Sequence, residues 1–141
     1  RYAVSQTTTP AGTPPHFTNS VNLKANGIGT KPDDIVICAG WGGSTSTCGT
    51  AAQVTNMSTP NKVVAAIIWS QGKNFASAGA GGIDETANNK TRLPAVANDH
   101  PIFVSHEPRP AGAGGGEFDD ILVWLPAGTL YNKMISAGVL P

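Results

Sequence analysis

The two cysteines of this chain are the residues whose type and spacing most clearly predict a reaction. Cys38 and Cys48 are separated by nine residues, of which three are glycine and four are serine or threonine. Because these residues are small and flexible, the two sulfurs can meet. In an oxidising compartment they would form a disulfide that stabilises the loop over residues 38–48 by ~2–3 kcal/mol. The alternative is two reduced, half-buried thiols, and zinc is a poorer explanation because two cysteines without histidines at ligand spacing supply too few ligands.

The histidines and serines show no spacing that indicates catalysis. His16, His100 and His106 contain no pair four residues apart, so we expect no metal binding through histidine. The sequence Gly-x-Ser-x-Gly, which presents a nucleophilic serine on a strand-to-helix turn, does not occur. We therefore predict no catalytic residues and expect that the protein is not an enzyme.

Length and charge restrict the class of protein further. A chain of 141 residues fits a single domain over residues 1–141 with one hydrophobic core. Nine basic and nine acidic residues leave it without net charge, so neither nucleic acid nor an anionic membrane is expected as a partner. The 17 glycines and 11 prolines indicate a loop-rich surface, as in secreted adhesive or filament proteins.

Apolar runs predict an antiparallel sheet of about four strands. The runs are Tyr2–Ser5, Asp34–Cys38, Val63–Trp69, Pro101–Ser105 and Phe118–Leu125. Val63–Trp69 is apolar at every position, the pattern of a strand that is covered on both faces. The last two runs are expected to pair as a hairpin. Residues 70–99 have no periodic pattern and predict a long loop.

The C-terminal residues predict one helix. Leu130, Tyr131, Met134 and Ile135 recur at i, i+1, i+4 and i+5, and Gly138 follows where a left-handed C-terminal cap is expected. One short helix cannot cover two strands that are apolar on both faces. We therefore infer that the sheet packs on a further helix that is missing from these residues.

Several segments within residues 63–141 occur in the order found in one family of bacterial proteins. They are Ser70–Asn74, Asp84–Glu85 with Asn88, Phe103–His106, Glu117–Trp124 and Leu130–Pro141. In these segments the chain resembles the prepilin-like proteins, the type IV pilins and the pseudopilins of type II secretion. The resemblance implies an α+β fold: an antiparallel β-sheet head of the pilin kind with one C-terminal helix, which normally follows an N-terminal anchoring helix.

The resemblance also implies a function. Arg1–Val4 is similar to the strand that follows the anchoring helix, so the helix is expected to be missing from this chain, either cleaved off or supplied as a separate polypeptide. The protein would then be the head of a structural subunit that forms a homopolymer, a type IV pilus or pseudopilus-like filament, on the outside of a bacterium. Its precursor would be anchored in the membrane and exported through the inner membrane.

Apolar residues of the two longest strands are expected to face this helix. They are Val64, Ala66, Ile68, Leu122 and Trp124. The opposite parity of the same strands is the alternative, because successive side chains of a strand point to opposite faces and both parities are apolar here.

The same resemblance implies a candidate metal site. Ser70–Asn74, a Gly-rich loop with Asp84, and the pair Asp119 and Asp120 are similar to the calcium loop of the major pseudopilin. Calcium takes six to eight oxygen ligands, which these three carboxylates, loop carbonyls and the Asn74 amide could supply. The alternatives are an ion pair, for instance with Lys73, a helix-cap role, or carboxylates that are only solvated.

A second hypothesis is a secreted, monomeric binding module. Trp41 lies within the cysteine loop, and an exposed aromatic ring there could bind carbohydrate, as in an adhesin. Trp41 could equally fold back over the disulfide.

Overall fold

The structure, a computed structural model, describes residues 1–5, 21, 35–42, 48–55, 64–73, 82–89 and 102–139. The elements with described bounds are β1 Tyr2–Val4, β2 Val36–Cys38, β3 Val64–Ser70, α1 Ile83–Asn88, β4 Ile102–Val104, β5 Ile121–Pro126 and α2 Ala127–Ser136. Within these ranges, no helix has both the length and the apolar composition needed to cross a membrane.

Three strands form an antiparallel sheet in the order β1-β3-β5. In its register, Tyr2 lies opposite Ile68, and Ile68 lies opposite Val123. Residues opposite each other in an antiparallel pair point to the same face, so these side chains share one side of the sheet. We call it the outer face, and we call the side of Ile67 and Trp69 the inner face.

The inner face covers the main hydrophobic core. Its buried residues are Ala3, Ile35, Ile37, Val64, Ile67, Trp69 and Phe103, with Leu122 and Trp124 packed against them. The rings of Trp69 and Phe103 meet edge to face, with centroids 5.0 Å apart. Such a contact adds about 0.5–1.5 kcal/mol to the burial of the two rings, so this layer holds the sheet to the rest of the head.

The second sheet is a parallel pair, β2 and β4. The side chain of Asn88 at the end of α1 accepts a hydrogen bond from the amide of Val104 at 2.7 Å and donates one to its carbonyl at 2.9 Å. A buried asparagine thus takes the place of a neighbouring strand. The short helix α1 is thereby held against β4.

Helix α2 follows β5 directly and packs on a bulged part of β3. The register of β3 shifts between Val64 and Ala66, and the intervening Ala65 is buried with Ala127 and Tyr131 of α2. After the helix, Gly138 has a φ of 69°, which confirms the predicted left-handed cap.

The broad prediction of an α+β fold with an antiparallel sheet is confirmed. Among the described residues the antiparallel sheet has three strands, against the four or so predicted. The predicted hairpin is wrong because β4 pairs with β2 whereas β5 pairs with β3. The expectation of one helix is also wrong, since α1 lies within residues 70–99, which were predicted as loop. Six residues without a side-chain cap give too short a periodic pattern to be recognised in sequence.

Candidate functional site

Three carboxylates meet where the sheet begins its last strand. Glu85 comes from α1, and Asp119 and Asp120 precede β5 directly. One oxygen from each lies within 4.8 Å of the other two. We call these three residues the carboxylate cluster, and this donor set could hold a metal ion.

Hydrogen bonds and a tight turn position Asp119 within the carboxylate cluster. Its amide donates to Glu85 Oε1 at 2.9 Å, and its Oδ2 accepts from the amide of Lys73 at 3.2 Å. Gly72 has a φ of 61°, and a Cβ at this position would overlap the Asp119 carboxylate. Only glycine therefore permits the turn at residues 71–73 to close over Asp119.

Two oxygens of the carboxylate cluster are buried without a hydrogen-bond partner among the described residues. They are Oδ1 of Asp119 and Oδ2 of Asp120, and Asp120 as a whole is only 6% exposed. The pKa of Asp120 is raised to about 6, chiefly by burial and also by the charges of Glu85 and Asp119, while a hydrogen bond with Asn88 acts in the opposite sense. An unpaired buried carboxylate costs free energy that a bound cation would offset.

A surface ion pair borders this site. Lys73 Nζ lies 2.7 Å from Glu117 Oε1. The hydrogen bond that Lys73 donates to Glu117, together with the negative charge of Glu117, raises the pKa of Lys73. Because the lysine is exposed, this pair contributes little to stability.

Asp84, which was expected among the calcium ligands, lies outside the carboxylate cluster. Its Oδ1 accepts from the amide of Trp41 at 2.8 Å, and its Oδ2 accepts from Arg109 Nη2 at 2.9 Å and faces His106 Nε2 at 3.1 Å. Burial opposes ionisation of Asp84, but the hydrogen bonds from Trp41, Arg109 and His106 outweigh it and lower the pKa. Asp84 thus occupies an ion-paired position, one of the alternatives considered from sequence.

Asp119 and Asp120 do lie together, and Asn74 falls outside the described residues. Sequence reasoning missed Glu85. It stood beside Asp84 in the segment that resembles the pilins, but only the helix α1 shows that the two side chains diverge, one to the carboxylate cluster and the other to Arg109.

The connection between β4 and β5 is fixed around Arg109. Its Nε donates to the carbonyl of Gly116 at 2.8 Å, and its Nη2 donates to that of Gly115 at 3.2 Å. His106 stacks on Phe118 with ring centroids 3.9 Å apart. These contacts hold the residues just before Asp119 against α1.

The disulfide between Cys38 and Cys48 is present, as predicted. Both cysteines are buried with Ala87 of α1 in a second hydrophobic cluster. Trp41 is partly buried and packs against this cluster, so its ring folds back toward the disulfide.

The outer face of the three-stranded sheet is apolar and exposed. Its large side chains are Tyr2, Ile68, Ile121, Val123 and Leu125, with Tyr2 78% and both Ile68 and Val123 61% exposed. A contiguous apolar surface of this kind usually marks an interaction site.

The five residues expected to face a helix do not share a face. Ala66 and Ile68 lie on the outer face, whereas Leu122 and Trp124 lie on the inner face and Val64 is buried in the core. The register explains this, because Ile68 of β3 lies opposite Val123 of β5 and therefore does not share a face with Leu122 or Trp124. Alternation along β5 predicts correctly which of its residues share a face. It does not show which of these two faces continues onto Ile68 of β3.

Comparison with known proteins yields no relative of this chain: no family model, no curated protein and no solved structure matches it.

Proposed function

We propose that this chain is the head of a structural subunit of an extracellular filament of the type IV pilus or pseudopilus kind, and that an apolar helix covers the outer face. The helix would come from a cleaved segment or a separate chain. The observation that carries the proposal is the exposed apolar outer face. The sequence resemblance to prepilin-like proteins supports it.

The dimensions of the outer face suit one helix. Three strands about 4.8 Å apart make a surface about 10 Å wide, which matches the 10–12 Å diameter of an α-helix with its side chains. Along β5 the face runs from Ile121 to Leu125, about 14 Å at 3.4 Å per residue. That length corresponds to nine or ten helical residues at about 1.5 Å each.

The chemistry of the outer face defines its partner. None of the residues that β1, β3 and β5 place on it is charged. Burying the exposed parts of its five large apolar side chains would contribute about 5 kcal/mol, before the cost of ordering the partner. A helix with an uncharged stripe of large aliphatic residues is the complement of such a face.

The disulfide is consistent with this location. Cys38 and Cys48 are bridged and buried, and structural disulfides persist in secreted and cell-surface proteins and not in the reducing cytosol. A homopolymeric filament outside the cell, assembled from a membrane-anchored precursor, is therefore the assembly that we propose.

The proposal is tested by placing a charge on the outer face. Val123→Asp should exclude the subunit from filaments, because an aspartate under an apolar helix would lose its hydration without gaining a partner. Ile135→Asp is the matched control, since Ile135 is also an exposed aliphatic residue (48%) but lies on α2. Both variants should keep the wild-type melting temperature, and filaments sheared from expressing cells should contain the control only. Equal incorporation of the two variants would contradict the proposal.

We further propose that the carboxylate cluster binds calcium. Hard carboxylate oxygens suit calcium or magnesium and not zinc or copper. The specific observation in favour is that one buried oxygen of Asp119 and one of Asp120 have no hydrogen-bond partner among the residues that the structure describes. Three carboxylates would supply at least three of the six to eight oxygens that calcium takes. Most of the negative charge of the cluster would thereby be offset.

Calorimetric titration of the chelator-treated protein with calcium chloride tests the calcium site. Wild-type protein should bind one calcium and gain thermal stability according to the ratio of free calcium to its dissociation constant. Glu85→Gln should lose this binding. Glu107→Gln removes the same charge from an exposed residue and should keep it. Identical titrations of the two variants would exclude the cluster as the site.

A further inference from the structure

The disulfide loop and the carboxylate cluster contact adjacent residues of one short helix. Asp84 and Glu85 are adjacent in α1, and both are buried. Asp84 accepts the amide of Trp41, which lies within the disulfide loop, at 2.8 Å. Glu85 accepts the amide of Asp119 in the carboxylate cluster at 2.9 Å. Two consecutive residues thus connect the two features.

Helix α1 depends on such side-chain contacts for its position. It is six residues long, and its N-cap, Gly82, provides no side-chain hydrogen bond. A helix of this length is not stable by itself in water. Its orientation is set by Asp84, by Glu85, by the packing of Ala87 and by the hydrogen bonds of Asn88 to β4.

The disulfide holds the loop in the conformation that reaches Asp84. Gly42 and Gly49 pack closely where the two arms of the loop pass each other, and a Cβ on Gly42 would lie 3.3 Å from the Gly49 Cα. Gly40 approaches Asp84 in the same way, with a Cβ position 3.8 Å from Oδ1. Without the disulfide, the backbone of Gly40, Trp41 and Gly42 would gain many conformations. Few of them would direct the Trp41 amide at Asp84.

The carboxylate cluster has the features of a site that needs this positioning. Asp120 is nine-tenths buried, and its Oδ2 has no hydrogen-bond partner among the described residues. One of its carboxylate oxygens lies within 4.8 Å of carboxylate oxygens of Glu85 and Asp119. Asp119 is held by the turn at Gly72 and by the Lys73 amide. Glu85 is therefore the member of the cluster whose placement depends on α1.

We propose that the Cys38–Cys48 disulfide is coupled to the carboxylate cluster through Trp41 and Asp84, so that the closed disulfide increases the affinity of the cluster for a divalent cation. This inference rests on the calcium site proposed above. Asp84 is a positioning residue in this scheme, since it acts on the site through α1 and contributes no ligand. By linkage, calcium must make the disulfide harder to reduce by the same factor.

The test compares calcium affinity with the disulfide closed and open. A dithiol such as dithiothreitol opens it: one thiolate attacks a disulfide sulfur, and the second thiol then forms a cyclic disulfide. Cys38 and Cys48 each leave with one added electron and one proton. We expect the reduced protein, shown to be folded by circular dichroism, to bind calcium about tenfold more weakly than the oxidised protein, within the range typical of coupled sites.

Asp84→Ala provides the readout that a purely structural role would not change. In this variant the oxidised and reduced forms should bind calcium with equal affinity, because the hydrogen bond between the Trp41 amide and Asp84 is lost. In Glu107→Ala, which loses the same charge at an exposed position, the tenfold ratio should persist. If the reduced protein unfolds, the calcium affinities of the two oxidised variants test the coupling instead. Oxidised Asp84→Ala should bind calcium about tenfold more weakly than oxidised Glu107→Ala.

The outcomes separate the two proposals. Equal calcium affinity in the oxidised and reduced wild-type protein, or in the two oxidised variants if reduction unfolds the chain, would overturn the coupling and leave the calcium site intact. Absence of calcium binding in the oxidised wild-type protein would overturn the site, and the coupling with it.

Discussion

Strand β5 joins the carboxylate cluster to the outer face. In folded proteins polar groups are mostly exposed and apolar groups mostly buried, and these two regions depart from that distribution in opposite ways. At the start of β5, Asp119 and Asp120 of the carboxylate cluster each bury one oxygen that has no hydrogen-bond partner in the described part of the chain. Along its length, the outer face exposes large aliphatic side chains. A buried polar group and a large exposed apolar patch are the two observations that most often carry functional information. A cation would complement the first region, and an apolar surface would complement the second.

The two regions differ in how firmly the chain fixes them. The carboxylate cluster is held by a turn that requires glycine, by main-chain amides and by α1. The outer face consists of side chains on the three-stranded sheet. The first arrangement suits a small ligand with strict geometry, and the second suits a broad hydrophobic contact, for which shape and apolar area are sufficient.

Neighbouring residues on the two faces of β3 provide the largest expected contrast. Ile67→Ala should lower the free energy of unfolding by about 3–4 kcal/mol, because it leaves a cavity in the core. Ile68→Ala on the outer face should cost less than about 1 kcal/mol in the isolated head. Urea denaturation of both variants measures the difference. Similar costs would mean that the outer face is already covered within the head.

Substitution at two glycines tests how strictly the carboxylate cluster is built. Gly72→Ala combines a strained positive φ with an overlap on Asp119, so we expect a loss of about 3 kcal/mol together with loss of calcium binding. Gly112 also has a positive φ, of 89°, but no atom lies within 4 Å of an added Cβ. Gly112→Ala should therefore cost only the backbone strain, about 1 kcal/mol. Thermal melts with and without calcium distinguish the two effects, and equal losses would argue against the tight turn over Asp119.

The buried carboxylate of Asp120 predicts a pH dependence. Its pKa is raised from 3.8 to about 6 in the folded protein, so protonation of this carboxyl stabilises the folded state. This stabilisation is fully present below pH 4 and is lost as the pH rises through 6. In chelator, the free energy of unfolding should fall by at most about 3 kcal/mol across this interval. Asp84 acts in the opposite sense, since its pKa is lowered and its contribution is lost only as the pH falls below about 4.

Asp120→Asn isolates the effect of that single carboxylate. The variant should lack the part of the pH dependence between 4 and 6, and denaturation curves at pH 4.5 and 7.5 would show it. A wild-type slope retained in the variant would assign the pH dependence to other groups. Saturating calcium should also abolish the fall in the wild-type protein, because the cation stabilises the ionised form.

The features that sequence predicted are those defined by local spacing. The disulfide follows from two cysteines and a flexible loop between them, and the faces of β5 follow from strict alternation at Ile121–Leu125. The cap at Gly138 follows from a helical stripe that ends before a glycine. Each of these three features can be predicted from about ten neighbouring residues, and the structure contains all three.

The features that sequence missed depend on pairing between distant residues. Alternation does not reveal that Ile68 lies opposite Val123, and the predicted helix-facing set therefore mixed two faces. Likewise, the connection after β4 does fold back, with Arg109 paired to Phe118, but the strands on either side of it join different sheets. Glu85 was missed because its direction depends on α1, which tertiary contacts stabilise and its own sequence does not.

The central claim, that a helix covers the outer face in the assembled protein, is tested most directly by crosslinking in native filaments. A photoreactive amino acid at position 123 should crosslink to an apolar helical peptide that mass spectrometry identifies, and the same amino acid at position 135 on α2 should not give that product. Crosslinks from position 123 only to solvent or to polar loops would contradict the claim, because they would leave the outer face without an apolar partner.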